Sequence, residues 1–323
     1  MPEPASSAAR RKLGIGGWIC AAWIGFLVLV SLVAPMLTAE PVTENGRVVE
    51  GCGTGEGLPL YDPLKCSDLD ATREQRRTGQ AVGEFKHLTG VDKSGGDVFS
   101  ATVIGTRTTL IIAFSSIALA ALLGGAMGLV SGYLGGKIDM IFSGLFDVMI
   151  AFPPLILALL IVNTYAAIPE DPKLAEEAIN RRVPGIILAL VVVATPILGR
   201  ITRASTLTWA GREFVMAAKA LGARPLRIML REVLPNVVPA LMSIALLAVG
   251  VVVVTESSLS LIGLGVPDGD TSWGTVIASG AADLRRYPHQ VFVPSIAVIL
   301  TICALNFLGD ALRRKFDVRE SAL

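Results

Sequence analysis

The feature that most constrains this chain is a succession of long apolar segments. A helix that crosses a bilayer needs roughly 20 mostly apolar residues. Six segments meet that need: about Ile15–Leu37, Thr102–Tyr133, Met140–Tyr165, Gly185–Ile201, Val237–Gly265 and Val291–Leu312. Composition agrees, since 52% of the 323 residues are hydrophobic and 17% are charged, where a soluble chain carries about 25% charge. These values argue against a soluble globular enzyme and against a disordered protein. The expected fold is an all-α integral membrane protein of six transmembrane helices. A net charge of +1 names no nucleic-acid partner. Two histidines leave little for a metal site, and four cysteines cannot make a disulfide scaffold.

The first segment follows Arg10, Arg11 and Lys12, as a signal peptide would. Its apolar stretch is too long for one, and no small-x-small cleavage site sits cleanly behind it, so it is read as an uncleaved helix. With the N-terminus inside, six spans place both ends inside. The inner segments then hold 15 basic and seven acidic residues, and the outer loops 12 basic and 18 acidic. That is the positive-inside pattern. The expected organisation is a tail and first helix (1–37), an extracytoplasmic segment (38–101) and a five-helix core (102–323). The core includes a second outer loop at 166–184, helical at Pro172–Asn180, and one large inner loop at 202–236. No Gly-Lys-Ser/Thr phosphate loop is present, so the chain does not bind ATP by that route.

The inner loop is the most informative stretch. Glu213 to Leu221 is rich in strong helix formers, Gly222 suits a helix stop, and Pro225 suits the first turn of a second helix. Phe214, Ala217, Ala218 and Leu221 recur at i, i+3, i+4, i+7 as a narrow apolar stripe, with two alanines that allow close approach. Met216-Ala217-Ala218, then Gly222, then Leu234-Pro235 resembles the Glu-Ala-Ala loop of the permease subunits of ABC importers. Met216 stands where that family has Glu, and Glu213 is the nearest acid, one turn earlier.

Other stretches are similar to the dipeptide, oligopeptide and nickel importers within that family. They are His87–Ser100, with Gly96 where Arg is common, Asp147–Pro154, Glu256–Pro267 with Ser272-Trp273-Gly274, and Asn306–Arg313. The resemblance runs in order over roughly residues 85–316, and the outer insert at about 40–84 is less typical. It implies a non-catalytic permease of a prokaryotic cell membrane that forms half of a pathway. It implies a second, non-identical permease, ABC-type ATPase subunits that hold the ATP and Mg, and an extracytoplasmic solute-binding protein. It makes Glu213–Leu221 a coupling helix, with Glu213, Met216, Ala217, Ala218, Leu221, Gly222, Arg224, Leu234 and Pro235 at the ATPase joint. Related importers carry peptides, nickel complexes, glutathione and haem-like ligands, so the solute is left open.

Several residues carry two readings. Gly124, Gly128, Gly132 and Gly136 recur every four residues, as a packing face within the chain or a moving face between subunits. Glu256 sits behind the apolar run Val249–Val254, and a carboxylate there is either structural or part of the solute path. Ser257, Ser258 and the Gly-rich exit are its candidate donors, and Arg107 is a candidate cation for it or for Asp147. Asn306 reads as an interhelical hydrogen-bonding group or a pathway residue. Pro153-Pro154 and Pro196 are candidate kinks. Cys52 and Cys66 share the outer segment, where a disulfide would constrain the loop by about 3 kcal/mol. Cys20 and Cys303 read as small hydrophobes.

Two rivals stand beside the permease. A stand-alone secondary carrier or channel would want acids or broken helices at mid-membrane in several spans. An intramembrane enzyme would want a motif such as His-Glu-x-x-His or Gly-x-Ser-x-Gly, and neither occurs.

Overall fold

The computed structural model describes residues 15–39, 43–44, 47–48, 60–61, 88–93, 95–165, 172–267 and 270–320. Cys52 and Cys66 lie outside the described residues, as does His87. Helix α1, Ile15–Leu37, has the bounds expected from its apolar run. The segment after α1 contributes β1 (Thr38–Ala39), paired parallel with β4 (Leu60–Tyr61), and β2 (Thr43–Glu44), paired antiparallel with β3 (Arg47–Val48).

Asp97 caps the next helix, α2 (Val98–Leu134): its carboxylate accepts from Ser100 N at 2.7 Å and from Ser100 Oγ at 2.5 Å. Gly135 and Gly136, both at positive φ, end α2 and turn the chain. The expected third span, Met140–Tyr165, is not one helix. It is α3 (Gly136–Ala151) and α4 (Pro154–Tyr165), bent by 90° at the break. Two adjacent prolines explain this. Pro153 and Pro154 lack N–H donors, and Phe152 is held extended at φ −84°, ψ 135°.

The fourth apolar run is longer than expected. Helix α5 spans Pro172–Ala210 and takes in most of the expected outer loop and part of the inner one. It runs on through Pro184 and Pro196, so Pro196 does not break it. Next comes α6 (Glu213–Ala220), then α7 (Pro225–Ile228), a π turn at Met229–Val233, and α8 (Leu234–Leu261). Pro235 accounts for the π turn, which the sequence pattern does not announce. Its ring would crowd the Arg231 carbonyl in a regular helix, and the preceding turn widens so that Leu234 N donates to Met229 O. A short α9 (Trp273–Ala281) precedes α10 (His289–Glu320). By length and composition, five of these helices suit a membrane crossing, or six with α3–α4 counted as one broken span.

The glycine stripe decides how the bundle closes. A Cβ on Gly124 would strike Thr195 O, and one on Gly128 would strike Gly199 O, both on α5. On Gly132 it would lie 2.8 Å from Arg203 O and from the Thr206 Cβ. Three glycines thus bring the α2 and α5 backbones together within one chain, which is the packing-face reading. Gly136 is outside this contact, with nothing within 4 Å of an added Cβ. Around the seam lies an apolar core that includes Ile112, Ala113, Ile117, Leu190, Leu198, Val253, Leu259, Trp273 and Leu305. Helix α1 packs on α10, with Trp23 Nε1 donating to Thr301 Oγ1 at 3.3 Å.

Gly128→Leu is expected to abolish accumulation of the protein in the membrane, because the added side chain meets α5 backbone. Gly144→Ala has open space around it and should stabilise α3 by about 0.5–1 kcal/mol. Quantitative immunoblots of membrane fractions compare the two.

Candidate functional site

Two polar or exposed assemblies stand at separate places in the fold. The first is the α6 loop. Glu213 lies in the first turn of α6 and Lys219 in the last, an arrangement that suits the helix dipole. Gly222, at φ 76°, closes the helix. Its N–H donates to Lys219 O at 3.0 Å, and Ala223 N donates to Ala218 O at 3.1 Å, the paired bonds of a Schellman stop.

Val215 fixes α6 to the bundle. It is fully buried in a second core cluster with Leu129 of α2, Trp209 of α5, Ile228, Val233, and Val237 of α8. Lys219 Nζ lies 5.2 Å from the Tyr133 ring centroid, and the Arg212 guanidinium 5.4 Å from that of Trp209. The predicted stripe is split by this packing. Ala218 is half-buried and faces the cluster, whereas Phe214, Ala217 and Leu221 are exposed. Leu221 is 88% exposed and Met216 55%, so the tip of the loop is apolar and uncovered. Glu213 and Arg224 are exposed beside it. Leu234 and Pro235 sit at the start of α8, Leu234 half-buried against the cluster.

The second assembly surrounds Glu256 in α8, which is 1% exposed. Its Oε1 accepts from Ser272 Oγ at 2.7 Å and from Ser260 Oγ at 3.2 Å. Ser257 and Ser258, the donors suggested by proximity in sequence, bond back to Val253 O and Val254 O of their own helix. Arg107 is exposed on α2 and is not a partner of Glu256. Ser272 also caps α9 in a capping box with Thr275. Trp273 is fully buried. Its backbone N–H donates to Thr109 Oγ1 at 3.0 Å and its Nε1 to Thr102 O at 2.9 Å, both on α2. Gly274 completes the fit, since a Cβ there would lie 2.9 Å from Glu256 Oε2. The carboxylate therefore ties α8 to the cap of α9, and Trp273 ties α9 to α2.

The remaining sequence candidates disperse. Asp147 pairs with Arg200 rather than with Arg107, in an exposed ion pair between α3 and α5. Asn306 is exposed on α10, and the interhelical bond there is made instead by Ser243 Oγ to Gly309 O at 2.8 Å. Cys20 is half-buried and Cys303 exposed, both with free thiols.

Two partnerships had no clear signal in the sequence. Asp139 accepts from Ser131 Oγ at 2.6 Å and from Arg203 Nη2 at 2.6 Å, with Arg203 Nε also in contact, and so locks α3 to α2 and α5. Arg182, buried in α5, donates from Nε to Gly265 O at 3.2 Å and from Nη2 to Gly263 O at 3.0 Å. The only hint of either is a charged residue at the margin of an apolar run. Among the described residues, no cluster of three or more His, Cys, Asp or Glu is placed to hold a metal.

Glu256→Gln retains an acceptor oxygen for both hydroxyls and nearly the same shape, so abundance should be normal and uptake modestly reduced. Glu256→Leu leaves the Ser272 and Ser260 hydroxyls without their acceptor, a loss of about 1–3 kcal/mol. It should lower abundance or uptake, and both are measured together. Full uptake at normal abundance in Glu256→Leu would remove this carboxylate from any role in transport.

Residues 124–321 match the family described as "Binding-protein-dependent transport system inner membrane component". The chain is 31% identical over 308 residues to the "Dipeptide transport system permease protein DppC" of Alkalihalophilus pseudofirmus, covering 95% of this chain and 86% of that one. It is 30% identical over 260 residues to the "Glutathione transport system permease protein GsiD" of Pectobacterium atrosepticum, covering 80% and 79%. It is 31% identical over 262 residues to the "Oligopeptide transport system permease protein OppC" of Haemophilus influenzae, covering 81% and 79%. In fold it is similar to a chain of the MetNI methionine ABC transporter in an inward-facing conformation, with a TM-score of 0.53 at 17% identity, covering 67% of this chain and 96% of that one. With a family match over most of its core and relatives aligned along most of its length, the chain belongs to the inner membrane components of binding-protein-dependent transport systems, the permeases of ABC importers.

Proposed function

We propose that this permease forms half of the pathway of an importer for peptides or a closely related small solute. A binding protein delivers the solute from outside, and a second, non-identical permease supplies the other half. The solute class follows from the relatives, whose names specify dipeptides, oligopeptides and glutathione. ATP and Mg belong to partner ATPases on the inner side. In this reading α3–α4 count as one broken span, giving six spans with both ends inside. The tail and α1, the outer segment and the five-helix core then act as the three parts of the chain.

The observation that carries the coupling role is the exposed apolar tip of α6, closed by Gly222 and anchored by Val215. An ATPase groove would cover Phe214, Met216, Ala217 and Leu221. Movement of that groove would reach α2 through Lys219 on Tyr133, α5 through Trp209, and α8 through Val237. At the outer end, the Glu256 assembly would keep α9 moving with α8 and α2 as the pathway opens. Asp147 and Asn306 are exposed on this chain, and the reading places them toward the pathway or the partner permease.

Ala217→Trp would fill the space an ATPase needs without altering the half-buried Ala218. Gly222→Val would force a β-branched residue into the left-handed region, at a cost of about 1–3 kcal/mol. Both should leave the protein inserted and lower solute-stimulated ATP hydrolysis several-fold. Hydrolysis assays on the purified complex check this, and wild-type rates in both variants would exclude the loop as the coupling element.

A further inference from the structure

The charges on the α6–α8 loop describe the surface it meets, if the loop is the coupling element proposed above. Between residues 211 and 236 the acids are Glu213 and Glu232, and the bases are Arg212, Lys219, Arg224, Arg227 and Arg231. Arg212 and Lys219 are engaged, stacked over Trp209 and Tyr133. Glu232 is half-buried, and Glu213 is exposed at the far end of α6.

Arg224, Arg227 and Arg231 are all exposed and recur at i, i+3, i+7 along α7 and the π turn. Arg227 and Arg231, four residues apart, lie on one side of the segment, and Arg224 is the extended N-cap that precedes it. Its other side is buried through Ile228, Met229 and Val233. Among the described residues none of the three arginines forms an ion pair. Three uncompensated guanidinium groups thus stand beside Leu221 and Leu226, which are 88% and 62% exposed.

Such a surface fits a partner that is both apolar and acidic. A guanidinium presents a planar fork that carboxylates match in two-bond geometry. The tip itself is small and has a defined turn: Gly222 is held by its stop bonds, and Ala217 and Ala220 leave the backbone approachable. A narrow tip of defined shape suits a preformed protein groove, whereas a lipid surface demands no such shape. We infer that the ATPase groove receiving this loop carries Asp or Glu side chains along the flank that faces α7. Arg224, Arg227 and Arg231 are then the residues by which this permease selects its ATPase.

The test uses the complete transporter, purified through the permease in nanodiscs of phosphatidylcholine and, separately, of phosphatidylglycerol. Three variants are compared with wild type: the triple change Arg224→Glu, Arg227→Glu, Arg231→Glu; the same three positions changed to Lys; and Leu221→Asp. The Glu triple should lose ATPase retention and coupled hydrolysis by on the order of tenfold or more in both lipids, at unchanged permease abundance. The Lys triple should retain the ATPase, and a zero-length carbodiimide should join its lysines to Asp or Glu of the ATPase, mapped by mass spectrometry.

Normal ATPase retention in the Glu triple, with loss in Leu221→Asp, overturns the acidic groove while the coupling reading stands. Normal retention in both overturns the coupling reading and this inference together. A defect confined to phosphatidylglycerol discs assigns the arginines to lipid headgroups, and an absence of lysine–carboxylate links to the ATPase overturns the inference directly.

Discussion

Helices α2 and α5 touch backbone to backbone, and the rest of the permease is arranged about that contact. Gly124, Gly128 and Gly132 present no side chain, so the carbonyls of Thr195, Gly199 and Arg203 come as near as van der Waals contact permits. In a bilayer, lipid tails compete with side chains for apolar contact, so a helix pair gains from close packing more than from burial as such. Once the seam is fixed, its two ends can serve as mounting points. One end holds Leu129, Tyr133 and Trp209, which receive α6. On the same α2, Thr102 and Thr109 receive Trp273.

Polar groups inside the bundle act as fasteners between elements distant in sequence. Asp139 joins α3 to α5 through Arg203, and Arg182 holds the chain after α8 by two carbonyls. Glu256 organises α9 through one hydroxyl that is also the cap of that helix. A buried polar group is costly unless partnered, so such a contact favours one arrangement: a shifted α9 would take the Ser272 hydroxyl from the carboxylate and leave it only Ser260. Elements are tied where these groups meet, whereas the apolar tip of α6 is left exposed.

Much of this was legible in the residues. The bounds of α1, the helix–Gly222–Pro225 order of the inner loop and the four-residue glycine spacing are local patterns, and local physics produces them. The break in the third span was legible only as a kink. Pro153 and Pro154 dictate that N–H groups are missing, but the 90° turn depends on what α3 and α4 pack against. Helix α5 was read as two pieces, a helix at Pro172–Asn180 and a span from Gly185, because a hydropathy reading stops at Glu176, Arg181 and Arg182, although Glu and Arg are good helix formers. The partners of Glu256 and Asp139 were not legible, since Ser272 is 16 residues away and Arg203 is 64. Ser257 and Ser258 were nearer in sequence, but on a helix a neighbour at i+1 or i+2 points to another side.

The π turn at Met229–Val233 has a directional consequence. A helix advances about 100° per residue, and a π turn accommodates one residue more than an α turn does. The segment before it is therefore rotated by about that angle from where an unbroken α8 would place it. Arg224, Leu226 and Arg227 face their present direction because Pro235 prevents regular winding below them. The direction in which these three side chains stand is thus written into a ring at the start of α8, several residues away from any of them.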